Sequence, residues 1–289
     1  MFQRPPFSTW PVFLLRMLHL NVGLLLYGLS IALMVWGTIG LGPWDVFHQG
    51  LSLVTPLSFG QAMIIAGFVV LQLFFVGRIA VMAAVDPRST TFERSGLWQQ
   101  ARAGDLRWRQ QWRDYDQIAT PLKRAVVASE DDRFMQHGGV DWPAIKRAWE
   151  RNAQRRKQAA AGQTQSAPVR GGSTITQQLA KNLLLSGEQT FLRKGQELLL
   201  TWALEALLSK QRILEIYLNH AEWGRGIFGA EAAAQHYFGR PAKALSNWQA
   251  ARLAVMLPNP QYFEQHPTSA YLQQRANTIA ARMRASQIP

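Results

Sequence analysis

The sequence has no cysteine. That excludes disulfides and thiolate metal sites, and it permits an oxidising compartment without requiring one. Acidic residues are few, Asp+Glu 18 against Lys+Arg 31, for a formal net charge of +13. Such a deficit of negative charge favours an anionic partner: nucleic acid, anionic lipid or a phosphorylated substrate. No cluster of side chains has strong metal-ligand spacing, although a carboxylate could share a Mg²⁺ with substrate phosphates. Beyond Asp86 no segment alternates convincingly as a strand, and hairpin turn signals are missing. A chain of 289 residues with these absences is expected to hold one mainly α catalytic domain plus accessory segments.

Charge is missing altogether from Val22 to Leu41, where Leu, Ile, Val, Met and aromatics dominate. That stretch is long enough to cross the roughly 30 Å hydrocarbon core of a bilayer. Ala62 to Val85 is a second apolar stretch, carrying Gln72 and Arg78. Arg78 lies off-centre, where its head can snorkel toward the interface. Both stretches are too long for a cleaved signal peptide, and the ending at Ala83-Ala84 is a weak cleavage signal. Arg4 and Arg16 precede the first stretch, and residues 42–61 contain no Lys or Arg. The positive-inside rule then places the N-terminus in the cytoplasm. Two crossings return the polar remainder to the cytoplasm; one crossing exports it.

Asp86-Pro87-Arg88-Ser89-Thr90 reads as a juxtamembrane linker. Trp98, Trp108, Trp112 and Tyr115 interleave with Arg102, Arg107, Arg109 and Arg113. They form a solvated, lightly packed face, a belt at headgroup depth or a nucleic-acid contact. Thr120-Pro121 predicts a helix start, with Thr as N-cap, and the helix should finish near Arg133. Trp149 to Val169 is rich in Gln, Ala and Arg and reads as a mobile basic loop. Thr174 and Gln177 make a capping box ahead of a buried stripe of Ile175, Leu179 and Leu183. Helices are expected over about Thr190 to Leu208, Lys210 to Leu218 and Glu231 to Phe238, with Gly224, Gly226 and Gly229 as breakers. Ser246 and Gln249 form another capping box before Ala250 to Leu257, which stops at Pro258-Asn259-Pro260.

Two polar runs stand out, Glu130 to Gly139 and Gly171 to Leu183. Glu130 falls near the end of its helix, where the negative end of the macrodipole pushes a carboxyl pKa upward, a useful state for a general base or acid. Gln177 and Lys181 are four positions apart, so an amide and a cation share a helix face, as Arg193 and Glu197 do on the next helix. The candidate site is Glu130, Asp131, His137, Ser173, Thr174, Gln177, Gln178, Lys181, Asn182, Arg193, Lys194 and Glu197. Two carboxylates on separate helices suit glycosyl chemistry. Lys181, Arg193 and Lys194 suit a phosphate or pyrophosphate leaving group. Asp131 also reads as an acceptor for nearby backbone amides, His137 as a structural hydrogen-bonder, and Ser173 and Thr174 as caps. Glu197 also reads as a simple ion-pair partner of Arg193 or Lys194.

In these residues the chain from about Thr91 to Pro260 resembles the peptidoglycan glycosyltransferases. It is closest to the monofunctional biosynthetic type, related to the glycosyltransferase domain of class A penicillin-binding proteins. Five blocks carry the resemblance in order: Glu130 to Gly139; Gly171 to Leu185; Arg193-Lys194-Gly195-Gln196-Glu197; Arg212 to Asn219; and Gly229 to Pro260. No transpeptidase domain follows Pro289, which fits the monofunctional type.

The resemblance implies a lysozyme-like, mainly α domain with a partly apolar jaw at the membrane, preceded by one or two transmembrane helices. It implies polymerisation of lipid II with inversion and release of undecaprenyl pyrophosphate. Glu130 would be the base and Glu197 the second catalytic glutamate, assisting at the leaving group or with its metal. Lys181, Arg193 and Lys194 would surround the pyrophosphate. Asp131, His137, Ser173, Thr174, Gln177, Gln178 and Asn182 would complete the substrate site. A divalent cation, Mg or Mn, is left open; no organic cofactor is implied. Partners would be lipid II, the growing glycan, membrane lipids and cell-wall synthesis or division proteins, not nucleic acid. The implied location is the bacterial inner membrane, with the catalytic domain on the periplasmic side.

Residues 12–73, including Leu41 to Gly50, resemble instead the start of an uncharacterised multi-spanning bacterial membrane protein family. The expected organisation is an N-terminal membrane extension at 1–56 with a candidate helix at 22–41. A transmembrane anchor (62–85) and linker occupy 57–90, and the transferase domain 91–289. The chain departs from its relatives at Gln189, where many carry an arginine, at Arg225, where an acidic residue is frequent, and at Gln249, often a glutamate. Two other readings compete. A lysozyme-like hydrolase would have a sugar leaving group and no need of Lys181, Arg193 and Lys194. A cationic membrane scaffold would need neither Glu130 nor Glu197.

Overall fold

The computed structural model describes residues 10–36, 42–160, 172–185 and 191–289. Residues 1–73 and 74–289 form two compact units. The first contains α1 (Trp10–Trp36), α2 (Pro43–Val54) and the start of α3 (Phe59–Val81). On α2, Trp44 and Phe47 pack around the buried His48, whose ring lies 6.1 Å from that of Phe59. Leu25, Leu26 and Leu29 of α1 and Ile64, Phe68 and Leu73 of α3 are exposed. Among the described residues α3 is the one helix long and apolar enough to cross a membrane, and Asn21–Met34 is a shorter apolar stretch.

In the second unit, Ile79 at the end of α3 and Met82 in the turn just after it belong to the core. The chain beyond is fastened rather than loose. Arg212 donates from Nε to the Met82 carbonyl at 2.8 Å and pairs with Asp86 at 2.7 Å. Thr90 then caps α4 (Thr91–Arg102) in a capping box with Glu93, and the Thr91 hydroxyl donates to the Leu183 carbonyl at 3.2 Å. β1 (Arg109–Gln110) and a 3-10 turn lead to α5 (Thr120–Glu130), followed by α6 (Trp142–Ala160), α7 (Ile175–Leu184), α8 (Phe191–Leu207) and α9 (Lys210–His220). β2 (Glu222–Gly224) and β3 (Ile227–Phe228) precede α10 (Ala230–Phe238), α11 (Asn247–Met256), α12 (Pro260–Gln265) and α13 (Ala270–Arg282).

The core is built around α5, where Leu122, Ala125, Val126 and Val127 are fully buried. α11 packs against both α5 and α13, and α7 packs against α8. Each fully buried Leu or Val there contributes roughly 1.5–3 kcal/mol relative to exposure. Small residues on α11 (Ala250, Ala251 and Ala254, all fully buried) let it approach α5 closely. The result holds the C-terminus of α5, and with it Glu130, against a rigid wall.

The mainly α expectation holds, with several corrections. The basic segment after Trp149 is helical through Ala160, because Ala, Gln, Lys and Arg are good helix formers. The remainder of that predicted loop, 161–169, lies outside the described residues, as do Gly171, Gln189, Thr190 and residues 37–41. α1 begins at Trp10, well before Val22, and α3 runs over Phe59–Val81 rather than 62–85. Ala119, not Thr120, is the N-cap of α5, and the helix stops at Glu130 rather than Arg133. It stops there because the Asp131 side chain is drawn into bonds with other segments, described below. Three short strands do form, in the order β1-β3-β2, with Arg109 facing Ile227 in a parallel pair and Glu222 facing Phe228 in an antiparallel one. Gly226 makes that sheet possible. It has φ +72, and a Cβ there would lie 2.1 Å from the Arg107 carbonyl oxygen.

Candidate active site

Glu130, the last residue of α5, opens into a cleft of about 970 Å³. Its Oε2 accepts a hydrogen bond from the Gln178 amide at 2.9 Å, and the Gln178 carbonyl accepts one from the Tyr217 hydroxyl at 3.0 Å. The chain of donors runs one way, from Tyr217 through Gln178 to Glu130, so it fixes the orientation of the Gln178 amide. Burial pushes the Glu130 carboxyl above the usual carboxylate range, and Asp131 adds to the shift; Gln178, Ser129 and the charge of Arg275 oppose it. Burial likewise pushes the Tyr217 phenol well above its ordinary value, so it stays a hydroxyl donor.

The same cleft is lined by Lys181 and Asn182 of α7 and by Arg193, Lys194 and Glu197 of α8. Glu197 is buried and holds both cations: Arg193 donates to Oε2 at 2.9 Å and Lys194 to Oε1. The helical spacing i, i+4 and i, i+3 makes this double pair possible. The walls strip solvent from the Lys181 ammonium and push its pKa below the ordinary lysine range; Glu197 opposes the shift, and Arg193 and Lys194 add to it. The result is a general-base candidate and, from α7 and α8, three cations around one cavity.

Asp131, His137 and Thr174 lie elsewhere. Asp131 Oδ2 accepts from the Ile175 backbone N–H at 3.0 Å, at the start of α7, and Oδ1 lies 2.8 Å from His137 Nε2. The Gly139 N–H donates to His137 Nδ1 at 3.2 Å, which leaves Nε2 to donate to the carboxylate. Thr174 caps α7 with Gln177 and donates its hydroxyl to the Gly139 carbonyl at 2.6 Å. Gly139 has φ +88, and a Cβ there would lie 2.6 Å from Thr201 Cγ2. These bonds join the end of α5 to the start of α7 and so set where Glu130 and Gln178 meet. Asp131 and Thr174 border a smaller cleft of about 320 Å³, with Arg147 and Arg151, that meets the large one at Glu130 and Ser173. His137 borders neither cleft.

Sequence reasoning did not single out Glu222, Asn259, Tyr271 or Arg275, all of which line the large cleft. The stripe Leu272, Ala276 and Ile279 could have located α13, but nothing local tells that Arg275 faces Glu130. Among the described residues no group of three or more His, Cys, Asp or Glu is placed to hold a metal ion. Both oxygens of Glu197 accept from cations, so in this arrangement neither is open to a divalent cation.

Comparison with known proteins matches two stretches of the chain to two families. A family of unknown function (DUF6198) matches residues 14–84, across α1, α2 and α3, in line with the second resemblance. The Transglycosylase family model matches residues 99–284, which contain every candidate site residue. A "biosynthetic peptidoglycan transglycosylase" of Burkholderia thailandensis is 50% identical over 234 residues, 81% of this chain and 88% of that protein. A protein of the same description from Burkholderia pseudomallei is 52% identical over 219 residues, 75% of this chain and 82% of its own length. Another, from Paraburkholderia phytofirmans, is 50% identical over 229 residues, 79% and 91% of the two chains. With the family model covering most of the chain and half of the aligned residues identical to these proteins, the chain belongs to the transglycosylase family.

Proposed function

We propose that the chain polymerises lipid II into linear peptidoglycan strands, releasing undecaprenyl pyrophosphate. It acts as an inverting transferase anchored in the inner membrane, with residues 91–289 on the periplasmic side. One observation carries this reading: the buried Glu130 carboxyl, its pKa raised, shares a single cleft with the three cations of α7 and α8. The names of the relatives point to the same substrate class.

Ionised Glu130 takes the proton from the acceptor 4-hydroxyl, with Gln178 and Tyr217 holding its carboxylate in place. The acceptor oxygen attacks the anomeric carbon of the growing chain from the face opposite the pyrophosphate. The new C–O bond forms as the bond to the pyrophosphate breaks, and configuration inverts. Negative charge builds on the leaving oxygen, where Lys181, Arg193 and Lys194 meet it. Glu197 acts at the leaving group through the two cations it holds. Gln177, Asn182 and Ser173 supply polar contacts along the cleft, while Asp131, His137 and Thr174 act as positioning residues. The growing glycan, lipid II and membrane lipids are the ligands this site and α3 call for, and cell-wall synthesis or division proteins are the partners proposed for such an enzyme. A hydrolase reading is weaker, because its leaving group is a neutral sugar that gains nothing from three cations.

Labelled lipid II incubated with the purified full chain is expected to give glycan polymer; cleaved glycan, or no product, would overturn the reading. Glu130→Gln is near-isosteric and is expected to lose about 10²–10⁴-fold in turnover. Retention of more than a tenth of wild-type turnover would remove Glu130 from the role of base.

A further inference from the structure

The large cleft has two chemically different walls. α7 and α8 supply Lys181, Arg193 and Lys194, and Arg275 of α13 adds a cation that acts on Glu130. Where β2 and the segment leading into α12 line it, the cleft carries Glu222, Asn259 and flanking apolar surface, and Tyr271 of α13 adds an aromatic ring. The proposed mechanism uses none of these three. A carboxylate, an amide and an exposed aromatic ring are the groups that bind a neutral sugar: the first two take hydroxyl and amide hydrogens, and the ring covers an apolar sugar face.

The wall is built rather than incidental. Glu222 is half-buried, and its Oε1 accepts a hydrogen bond from Gln261 of α12 at 3.0 Å. Its Oε2 has no donor among the described residues. The neighbouring Trp223 is fully buried and donates from Nε1 to the Leu253 carbonyl at 3.0 Å, while its own carbonyl accepts from the Tyr237 hydroxyl at 2.7 Å. The next turn is held as well, since the Arg225 N–H donates to Glu264 Oε2 at 2.8 Å. Glu222 therefore stands on backbone that cannot easily turn it away. The Tyr271 ring lies within 8° of parallel to the Phe263 ring, which is buried, yet Tyr271 itself is 53% exposed. Burial raises the Glu222 carboxyl pKa, with Gln261 opposing and Glu264 adding, as befits a side chain set into a wall.

We propose that Glu222, Asn259 and Tyr271 form a saccharide subsite, in which Glu222 Oε2 accepts a hydrogen bond from a hydroxyl or N-acetyl N–H of an amino-sugar residue of the glycan. This rests on the reading of the enzyme as a glycan polymerase and adds where the strand is gripped. The cationic wall grips the pyrophosphate; this wall grips sugar and is indifferent to phosphate.

The test uses the full chain carrying Glu130→Gln, so that binding is read without turnover. It is titrated separately with a soluble oligosaccharide of alternating N-acetylglucosamine and N-acetylmuramic acid and with undecaprenyl pyrophosphate. Adding Glu222→Ala is expected to weaken the saccharide about tenfold, the size of one charge-assisted hydrogen bond, and to leave the pyrophosphate unchanged. Glu222→Gln keeps an acceptor oxygen and is expected to retain most of the saccharide affinity. In the chain with Glu130 intact, Glu222→Ala is expected to raise KM for lipid II more than it lowers kcat. Unchanged saccharide affinity overturns the proposal, and so does a parallel loss of both ligands, which would mark Glu222 as structural. Should Glu222→Ala not fold, the exposed positions read the same subsite through Asn259→Ala and Tyr271→Ala, with the same two outcomes. A wild-type chain that binds the saccharide through Glu222 but makes no polymer would sink the proposed function and leave this subsite standing.

Discussion

At Glu130 the role of base proposed above and the stability of the fold pull in opposite directions. A carboxyl whose pKa is raised on folding holds its proton more tightly folded than unfolded. Its ionisation therefore works against the fold as pH rises through the folded value. Glu130→Gln removes that penalty, and its melting temperature at neutral pH is expected to equal or exceed that of the wild type. A drop of several degrees by scanning calorimetry would show that the carboxylate stabilises the fold. The same shifts shape the pH profile. The base must be ionised, so polymerisation is expected to fall on the acid side at a pH above the usual carboxylate range. Lys181 must keep its proton, so activity is expected to fall again below the usual lysine range. Tyr217 cannot cause that alkaline limb, because its pKa is pushed well above the ordinary phenol value. Arginine does not deprotonate in this range, so Lys181→Arg is expected to move the alkaline limb upward whatever it does to the rate. A limb that stays in place assigns it to another group.

At the scale of elements, the junction of α5 and α7 decides the site. Thr174 serves both sides, capping α7 and reaching the Gly139 carbonyl. Thr174→Ala is expected to cost about 1–2 kcal/mol, by loss of an N-cap and of a buried tie. Thr174→Ser keeps the hydroxyl and is expected to restore most of it. Denaturant unfolding of the two variants checks this, and an alanine variant as stable as wild type would show the capping box to be idle. Elements of this kind were legible beforehand because their signals are local: Thr174 with Gln177, and Ser246 with Gln249, each lie three positions apart. β1, β2 and β3 were not, because they are two or three residues long and the Arg109–Ile227 pairing joins distant parts of the chain. From Trp149 to Ala160 the helix reads as loop in the sequence because its polar, basic composition hides its propensity.

At the scale of the molecule, the question is what the first unit does. The match to the family of unknown function runs through residue 84, so it includes α3, yet Ile79 at the end of that helix and Met82 just after it belong to the core of the second unit. α3 is thus the part of the membrane region that the second unit cannot lose. Residues 1–56 are expected to be dispensable for polymerisation, with α3 as the anchor and the linker to residue 90 tied down by Arg212. A chain beginning at Leu57 is expected to insert, present its C-terminus to the periplasm and polymerise lipid II. Tethering beside the substrate's own membrane raises the effective concentration at which the two meet. A reporter at Pro289 found in the cytoplasm, or activity lost despite normal insertion, would refute that organisation.

By itself the sequence determined the helical class, the apolar stretches, the capping boxes and the family. The first three rest on neighbours within a few positions of one another, where spacing alone sets what shares a face; the family rests on five separate blocks between Glu130 and Pro260. It also presented Lys181, Arg193, Lys194 and Glu197 as one group, since α7 and α8 are close in sequence. Only the tertiary structure decided which polar residues line the large cleft and which hold the frame. Asp131 and His137 adjoin Glu130 in the chain, yet their bonds turn them toward Ile175 and Gly139. Glu222 and Arg275 lie far along the chain, yet they share the cleft of Glu130. The reason is physical. A cleft is defined by helices brought together through burial of their opposite faces, and that burial links residues whose separation in sequence carries no information about their separation in space.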